Sequence, residues 1–125
     1  MKRLPKISES EWLVMQVLWS KGPLTANDIV KQLTGKTKWK PKTIKTLINR
    51  LAKKKAVKFQ KEGRKYRYYP AVSESKCVRT ETQSFLRRVY RDATKPMLAA
   101  FLEDAELSAD DIKEFKKILD QKGKE

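Results

Sequence analysis

Histidine is absent from the 125-residue sequence, and cysteine occurs once, at Cys77. Without histidine there is no imidazole acid–base site, no histidine zinc site and no Ser-His-Asp or Cys-His pairing. One cysteine forms neither an internal disulfide nor a cysteine metal cluster, so nothing calls for an oxidising compartment. No catalytic centre, no metal and no cofactor are expected. Long apolar runs are also missing. No stretch approaches the ~18 residues of a membrane span, and the basic N-terminus lacks the apolar run of a secretory leader. Acidic residues are scarce, with 15 Asp+Glu against 30 Lys+Arg, for a formal charge of +15. These absences leave the expectation of a small cytoplasmic protein. Its excess positive charge suits nucleic acid, a membrane surface or an acidic protein.

The charge is unevenly spread. Residues 1–72 hold 19 basic and 4 acidic side chains, and residues 73–125 hold 11 of each. Residues 36–67 alone carry 14 Lys/Arg and a single acid, Glu62. That asymmetry predicts a polyanion-binding domain over 1–72 and a neutral domain over 73–125. The seam is the short Pro70–Ser75 stretch, without a Gly/Ser linker or internal repeats.

In the first part, Ser8-Glu9-Ser10-Glu11 reads as a capping box opening a helix of about Glu9–Ser20. Trp12, Met15 and Trp19 recur at helical spacing, and Leu13, Val17 and Leu18 widen the stripe. Gly22-Pro23 stops it. Thr25 caps a second helix with Asp28 at its third position. Ala26, Ile29, Val30 and Leu33 form its apolar face, and Thr34-Gly35 ends it. Pro41 suits the first turn of a third helix, where Ile44, Leu47, Ile48 and Leu51 repeat the pattern through about Lys54. Its other face carries Lys42, Thr43, Lys45, Thr46, Asn49, Arg50 and Lys53, with no acid. A merely solvated helix usually mixes signs to gain i,i+4 pairs. Here the lysines repel one another unless an anion neutralises them, which favours nucleic-acid contact.

A β pattern follows. Val57–Lys61 alternates, Glu62-Gly63-Arg64-Lys65 turns, and Tyr66–Tyr69 returns. Three helices and a hairpin give a winged helix-turn-helix: the third helix enters a major groove about 12 Å wide, with Arg64 and Lys65 at the wing tip. Phe59, Tyr66 and Tyr68 are expected to pack the hairpin against the helices. The competing reading is an RNA- or ribosome-associated basic protein, in which those aromatics stack on bases.

The second part reads as three helices. Glu74–Arg91 gathers Val78, Phe85, Leu86 and Val89 on one face. Pro96 begins a short helix, Met97–Leu102, that is apolar all round. Ser108-Ala109-Asp110-Asp111 caps a last helix with Ile112, Phe115, Ile118 and Leu119 on one side. So short a unit has difficulty burying an all-apolar helix within itself. A second copy solves this, so Phe85, Leu86, Val89, Met97, Leu98, Phe101, Leu102, Ile112, Phe115, Ile118 and Leu119 are candidate homodimer contacts. Two-fold pairing would present two reading helices to an inverted repeat. The adjacent carboxylates Glu103-Asp104 and Asp110-Asp111 fit solvation and helix capping better than catalysis. Cys77 fits an ordinary helix residue.

The overall class is therefore mainly α with a small β-hairpin wing: an N-terminal winged helix-turn-helix and a C-terminal three-helix dimerisation domain. The segments Ile7–Met15 and Trp39–Leu51, with the run Pro41-Lys42-Thr43-Ile44-Lys45-Thr46-Leu47-Ile48-Asn49-Arg50-Leu51, resemble the penicillinase-repressor family of bacterial transcription factors (BlaI/MecI type). Ser84-Phe85-Leu86, Met97-Leu98 and Leu107-Ser108 fall at that family's spacing, so the likeness spans nearly the whole chain. The resemblance implies a homodimeric repressor of a double-stranded operator of the TACA/TGTA kind, controlling β-lactam resistance genes. It implies that Lys42, Thr43, Lys45 and Thr46 lie near the bases and that Arg50 faces the backbone. It also implies inactivation through a membrane sensor peptidase pathway, with cleavage in the apolar helix between Asn and Phe. The equivalent pair here is Ala100-Phe101, with alanine in place of the asparagine. The superfamily's copper-sensing branch uses C-terminal cysteines, which this chain lacks.

Overall fold

The computed structural model describes residues 4–125. The basic start of the chain at Lys2 and Arg3, read above as no secretory leader, lies outside the described residues. The elements run α1 (Glu9–Lys21), β1 (Leu24–Thr25), α2 (Ala26–Thr34), α3 (Pro41–Lys53), β2 (Val57–Glu62), β3 (Lys65–Pro70), α4 (Glu74–Val89), α5 (Thr94–Asp104) and α6 (Ala109–Gly123). Two compact units divide the chain: one ends at Glu81, and the other is Thr82–Glu125.

Capping decides several helix starts. Ser8, Thr25 and Ser108 each accept the N–H of the third helical residue, and Glu11, Asp28 and Asp111 reach back to the cap N–H. These reciprocal bonds satisfy donors that a helix leaves orphaned. α3 begins differently, with Pro41 in its first turn and no side-chain cap from Lys40.

The core of the first unit is built from the stripes that the spacing marks. Val14, Met15, Val17 and Leu18 from α1 meet Ile29 and Leu33 from α2, and Ile44, Leu47, Ile48 and Leu51 from α3. Ala56 and Val57 close it from the start of β2. Leu13 departs from the expected α1 stripe and is exposed, at helical spacing from Glu9 and Gln16, which also meet solvent. Trp12 and Trp19 are half-buried and meet edge to face at 5.5 Å. Trp19 Nε1 donates to the Val72 carbonyl at 3.0 Å, holding the chain after β3 to α1.

The sheet has the order β1-β3-β2. The hairpin pairs Phe59 with Tyr68, Lys61 with Tyr66 and Glu62 with Lys65. Gly63 takes φ +61°, which glycine adopts without a Cβ penalty. β1 is a third strand that the sequence pattern does not reveal. It pairs Leu24 with Tyr68 and Thr25 with Arg67, turning the hairpin into a three-stranded sheet anchored at the start of α2.

In the second unit, α4 ends at Val89 rather than Arg91, because Arg91 and Asp92 take positive φ and the Asp92 N–H bonds back to the Leu86 carbonyl. α5 begins before Pro96, at Thr94. Met97 is buried, and Phe85 stacks with Phe101 at a centroid distance of 6.5 Å. Leu98, Phe101, Leu102, Ile112, Phe115, Ile118 and Leu119 remain exposed within the chain. Val89 is exposed as well, while Phe85 and Leu86 are half-buried; Val78, in the part of α4 that belongs to the first unit, is also exposed.

Candidate nucleic-acid interface

The site grows from α3. Its buried stripe of Ile44, Leu47, Ile48 and Leu51 fixes which residues turn outward. At 3.6 residues per turn the opposite side must carry the remainder. Lys42, Thr43, Lys45, Thr46, Asn49, Arg50 and Lys53 are all exposed. Among the described residues, none of Lys42, Lys45, Arg50, Lys53, Arg64 and Lys65 is paired with a carboxylate. Their mutual repulsion is therefore relieved only by solvent and counterions, which is the electrostatic condition of a polyanion-binding face.

A groove of about 320 Å³ lies between the wing, α2 and α3. Its lining brings Lys45 together with Arg64 and Lys65 of the wing tip. It also includes Lys31, Tyr66 and Tyr68. Lys31 and Tyr66 escape a reading focused on α3. The signal for Lys31 is its position on the polar side of α2, opposite Ile29 and Leu33. Asp28 lines the same groove, and hydrogen bonds from Thr25 hold its carboxyl below the ordinary range. Its negative charge is thus engaged by the α2 cap. Lys42, Thr43, Thr46, Asn49, Arg50 and Lys53 lie outside the groove lining, on the open face of the helix.

Thr46 has a constrained hydroxyl, which donates to the Lys42 carbonyl at 3.0 Å. The proton is used within the helix, so the oxygen lone pairs and the methyl group remain for an outside partner.

The wing aromatics need a correction. Tyr68 packs against the core as expected, but Phe59 and Tyr66 are 52% and 44% exposed. They meet each other edge to face at 5.1 Å. Phe59 also meets Tyr68 at a centroid distance of 5.8 Å, so the outer pair packs along the hairpin onto Tyr68 and is half open to solvent.

Glu11 has a second partner beyond its cap. Among the described residues it is the only buried charged side chain, at 1% exposure. Oε1 accepts from the Ser8 N–H at 2.9 Å and from Lys54 Nζ at 2.5 Å. Burial alone would raise its pKa, but hydrogen bonds from Lys54 and Ser8 outweigh it and hold the carboxyl below the ordinary value. Cys77 is buried, and that burial pushes its thiol up. Among the described residues no cluster of acids or cysteine could hold a metal, and no helix is long and apolar enough to cross a membrane.

The penicillinase repressor family model matches residues 7–121. The chain belongs to the penicillinase repressor family. It is 39% identical over 121 residues to the penicillinase repressor of Bacillus licheniformis, covering 97% of this chain and 94% of that one. To the methicillin resistance regulatory protein MecI of Staphylococcus aureus it is 36% identical over 117 residues, covering 94% and 95%. These relatives bear the names of repressors and regulators, and the family member described here is a regulator rather than an enzyme. The solved DNA-binding domain of the repressor BlaI superposes with a TM-score of 0.54 at 43% identity, over 60% of this chain and 92% of that chain. BlaI of Bacillus licheniformis in monomeric form with the blaP half-operator gives 0.53, again at 43% identity and the same coverage. Staphylococcus aureus MepR shares the fold, with a TM-score of 0.54 at 22% identity over 92% of this chain and 76% of that one.

Proposed function

We propose that this penicillinase repressor family member is a homodimeric repressor that binds an inverted-repeat duplex of the TACA/TGTA type. Residues 1–72 form the DNA-binding domain and residues 73–125 the dimerisation domain. α3 enters the major groove with Lys42, Thr43, Lys45 and Thr46 toward the bases. Asn49, Arg50 and Lys53 lie along the phosphates, and Arg64 and Lys65 reach the flanking backbone or minor groove. The observation that carries this reading is the exposed, acid-free side of α3 opposite a fully buried apolar stripe. The apolar residues exposed on α5 and α6 support pairing through Leu98, Phe101, Leu102, Ile112, Phe115, Ile118 and Leu119. A two-fold dimer matches the symmetry of an inverted repeat and sets its half-site spacing.

Repression follows from occupancy of promoter DNA, and the regulated genes are those of β-lactam resistance. Release follows from loss of the dimer. The family's cleavage position corresponds to Ala100-Phe101, inside α5. Scission there needs local unwinding of α5, because the Ala100-Phe101 peptide lies inside the helix Thr94–Asp104 and not in an extended segment. It would detach α6 and its apolar residues from α4.

Gel shifts test the core of the proposal. A duplex carrying the inverted repeat should be bound at least 10³-fold more tightly than a shuffled duplex, the lower end of specific recognition. Equal affinity for both duplexes overturns sequence-specific repression. Preferential displacement by structured RNA favours the RNA-binding alternative.

A further inference from the structure

Lys54 follows α3 directly as its C-cap residue, and its side chain runs back into the fold. Nζ donates to Glu11 Oε1 and, at 2.9 Å, to the Lys6 carbonyl. The same Glu11 oxygen accepts the Ser8 N–H. One carboxylate oxygen thus joins the segment before α1, the α1 cap and the end of α3. Lys54 is 36% exposed and Glu11 1% exposed, so the carboxylate lies deep while the ammonium stem comes from the surface. We infer that Glu11 and Lys54 are positioning residues: this hydrogen-bonded pair sets the angle of α3 and thereby its discrimination among DNA sequences. The inference rests on the DNA-reading role proposed above.

The hydrophobic effect is itself non-directional, and ridge-into-groove packing leaves helix crossing angles scattered by about 15–20°. A charge-assisted hydrogen bond prescribes one orientation. Leverage makes this matter. Lys42 and Lys54 are twelve residues apart, about 18 Å along a helix axis. A pivot of about 5° at one end moves the other by about 1.6 Å. That is enough to break base contacts whose lengths vary by only a few tenths of an ångström. Non-specific phosphate contacts tolerate such a shift, because they depend on charge more than on register.

The pair also distinguishes Lys54 from its neighbours. Lys53 and Lys55 are exposed cations with no carboxylate partner among the described residues. Lys54 already has its counter-charge within the fold.

Glu11→Gln, Lys54→Met and Lys54→Arg, all in the full chain, provide the test. Affinities for a TACA/TGTA inverted-repeat duplex and a shuffled duplex are measured over a salt series, at a temperature where circular dichroism shows each variant folded. Glu11→Gln and Lys54→Met should weaken inverted-repeat binding roughly tenfold, leave shuffled binding within twofold and keep the wild-type salt slope. Lys54→Arg should restore most of the preference. A Lys54→Met variant that loses both duplexes equally, with a slope shallower by about 0.9 per protomer, would make Lys54 an ordinary phosphate contact and overturn the inference. Tighter shuffled binding by Glu11→Gln, from a freed Lys54, overturns it as well. If neither Glu11→Gln nor Lys54→Met can be folded, Lys54→Arg decides: retained preference supports positioning, and lost preference overturns it. A wild-type chain without preference for the inverted repeat overturns the DNA-reading role itself, and this inference with it.

Discussion

Lys53→Ala removes one cation from the exposed face of α3 while leaving its buried stripe intact. Its effect follows from counterion release. A bound dimer that neutralises on the order of ten phosphates gives a slope of about −9 in log K against log salt. Raising salt from 100 to 200 mM then weakens wild-type binding roughly 500-fold. Deleting one cation per protomer brings the slope to about −7 and the loss to roughly 150-fold. Fluorescence anisotropy with a labelled duplex at four or five salt concentrations measures both slopes. Because Lys53 is assigned to phosphate, the weakening should be the same for inverted-repeat and shuffled duplexes. An unchanged slope would refute the assignment of Lys53, and so would a loss confined to the inverted repeat. A wild-type slope shallower than about −4 would refute the whole basic face as the contact surface.

Thr46→Ser separates the threonine methyl from its hydroxyl. The hydroxyl proton is engaged by the Lys42 carbonyl, so the serine variant should lose the share of base preference carried by the methyl, and Thr46→Ala the share carried by the oxygen lone pairs, both read by selection from a random pool. Glu11 predicts acid sensitivity. Its folded pKa lies below the unfolded value near 4.5, so its contribution is complete above that value and is lost as pH falls through the folded pKa. Thermal melts should show Glu11→Gln destabilised by about 2 kcal/mol at pH 7 and by distinctly less at pH 3. Leu119→Glu alters a side chain that is 63% exposed in the single chain, so it should leave helix content unchanged and shift sedimentation from dimer to monomer. A dimer that survives both this change and Ile118→Glu would mean that α6 does not form the contact.

Local signals in the sequence were reliable where the governing interaction spans a few residues. The Ser8/Glu11, Thr25/Asp28 and Ser108/Asp111 boxes all close as their spacing predicts. The stripes Ile29/Leu33 and Ile44/Leu47/Ile48/Leu51 are buried as their periodicity predicts. Long-range features were hidden. Two residues are too few to show alternation, so β1 is visible only through its pairing with Tyr68 and Arg67. Glu11 reads as a cap, and nothing local announces a partner 43 residues away. For Phe59 and Tyr66, alternation gives the face of the strand but not how far the helices extend to cover it. Within the candidate interface the charged face of α3 was legible, whereas the contributions of Lys31 and Tyr66 to the groove depend on tertiary placement.

The uncapped start of α3 has a consequence for anyone engineering this protein. A serine or aspartate at position 40 with a glutamate at 43 would supply the missing box, for a typical gain of about 1 kcal/mol. The same change would set negative charge at the end of the helix assigned to the bases, where the dipole and Lys42 favour an anion from outside. The variant should melt higher and repress worse. α5 also starts without a side-chain cap, at Ala93, and has no residue assigned to DNA, so thermostabilised versions are better sought there.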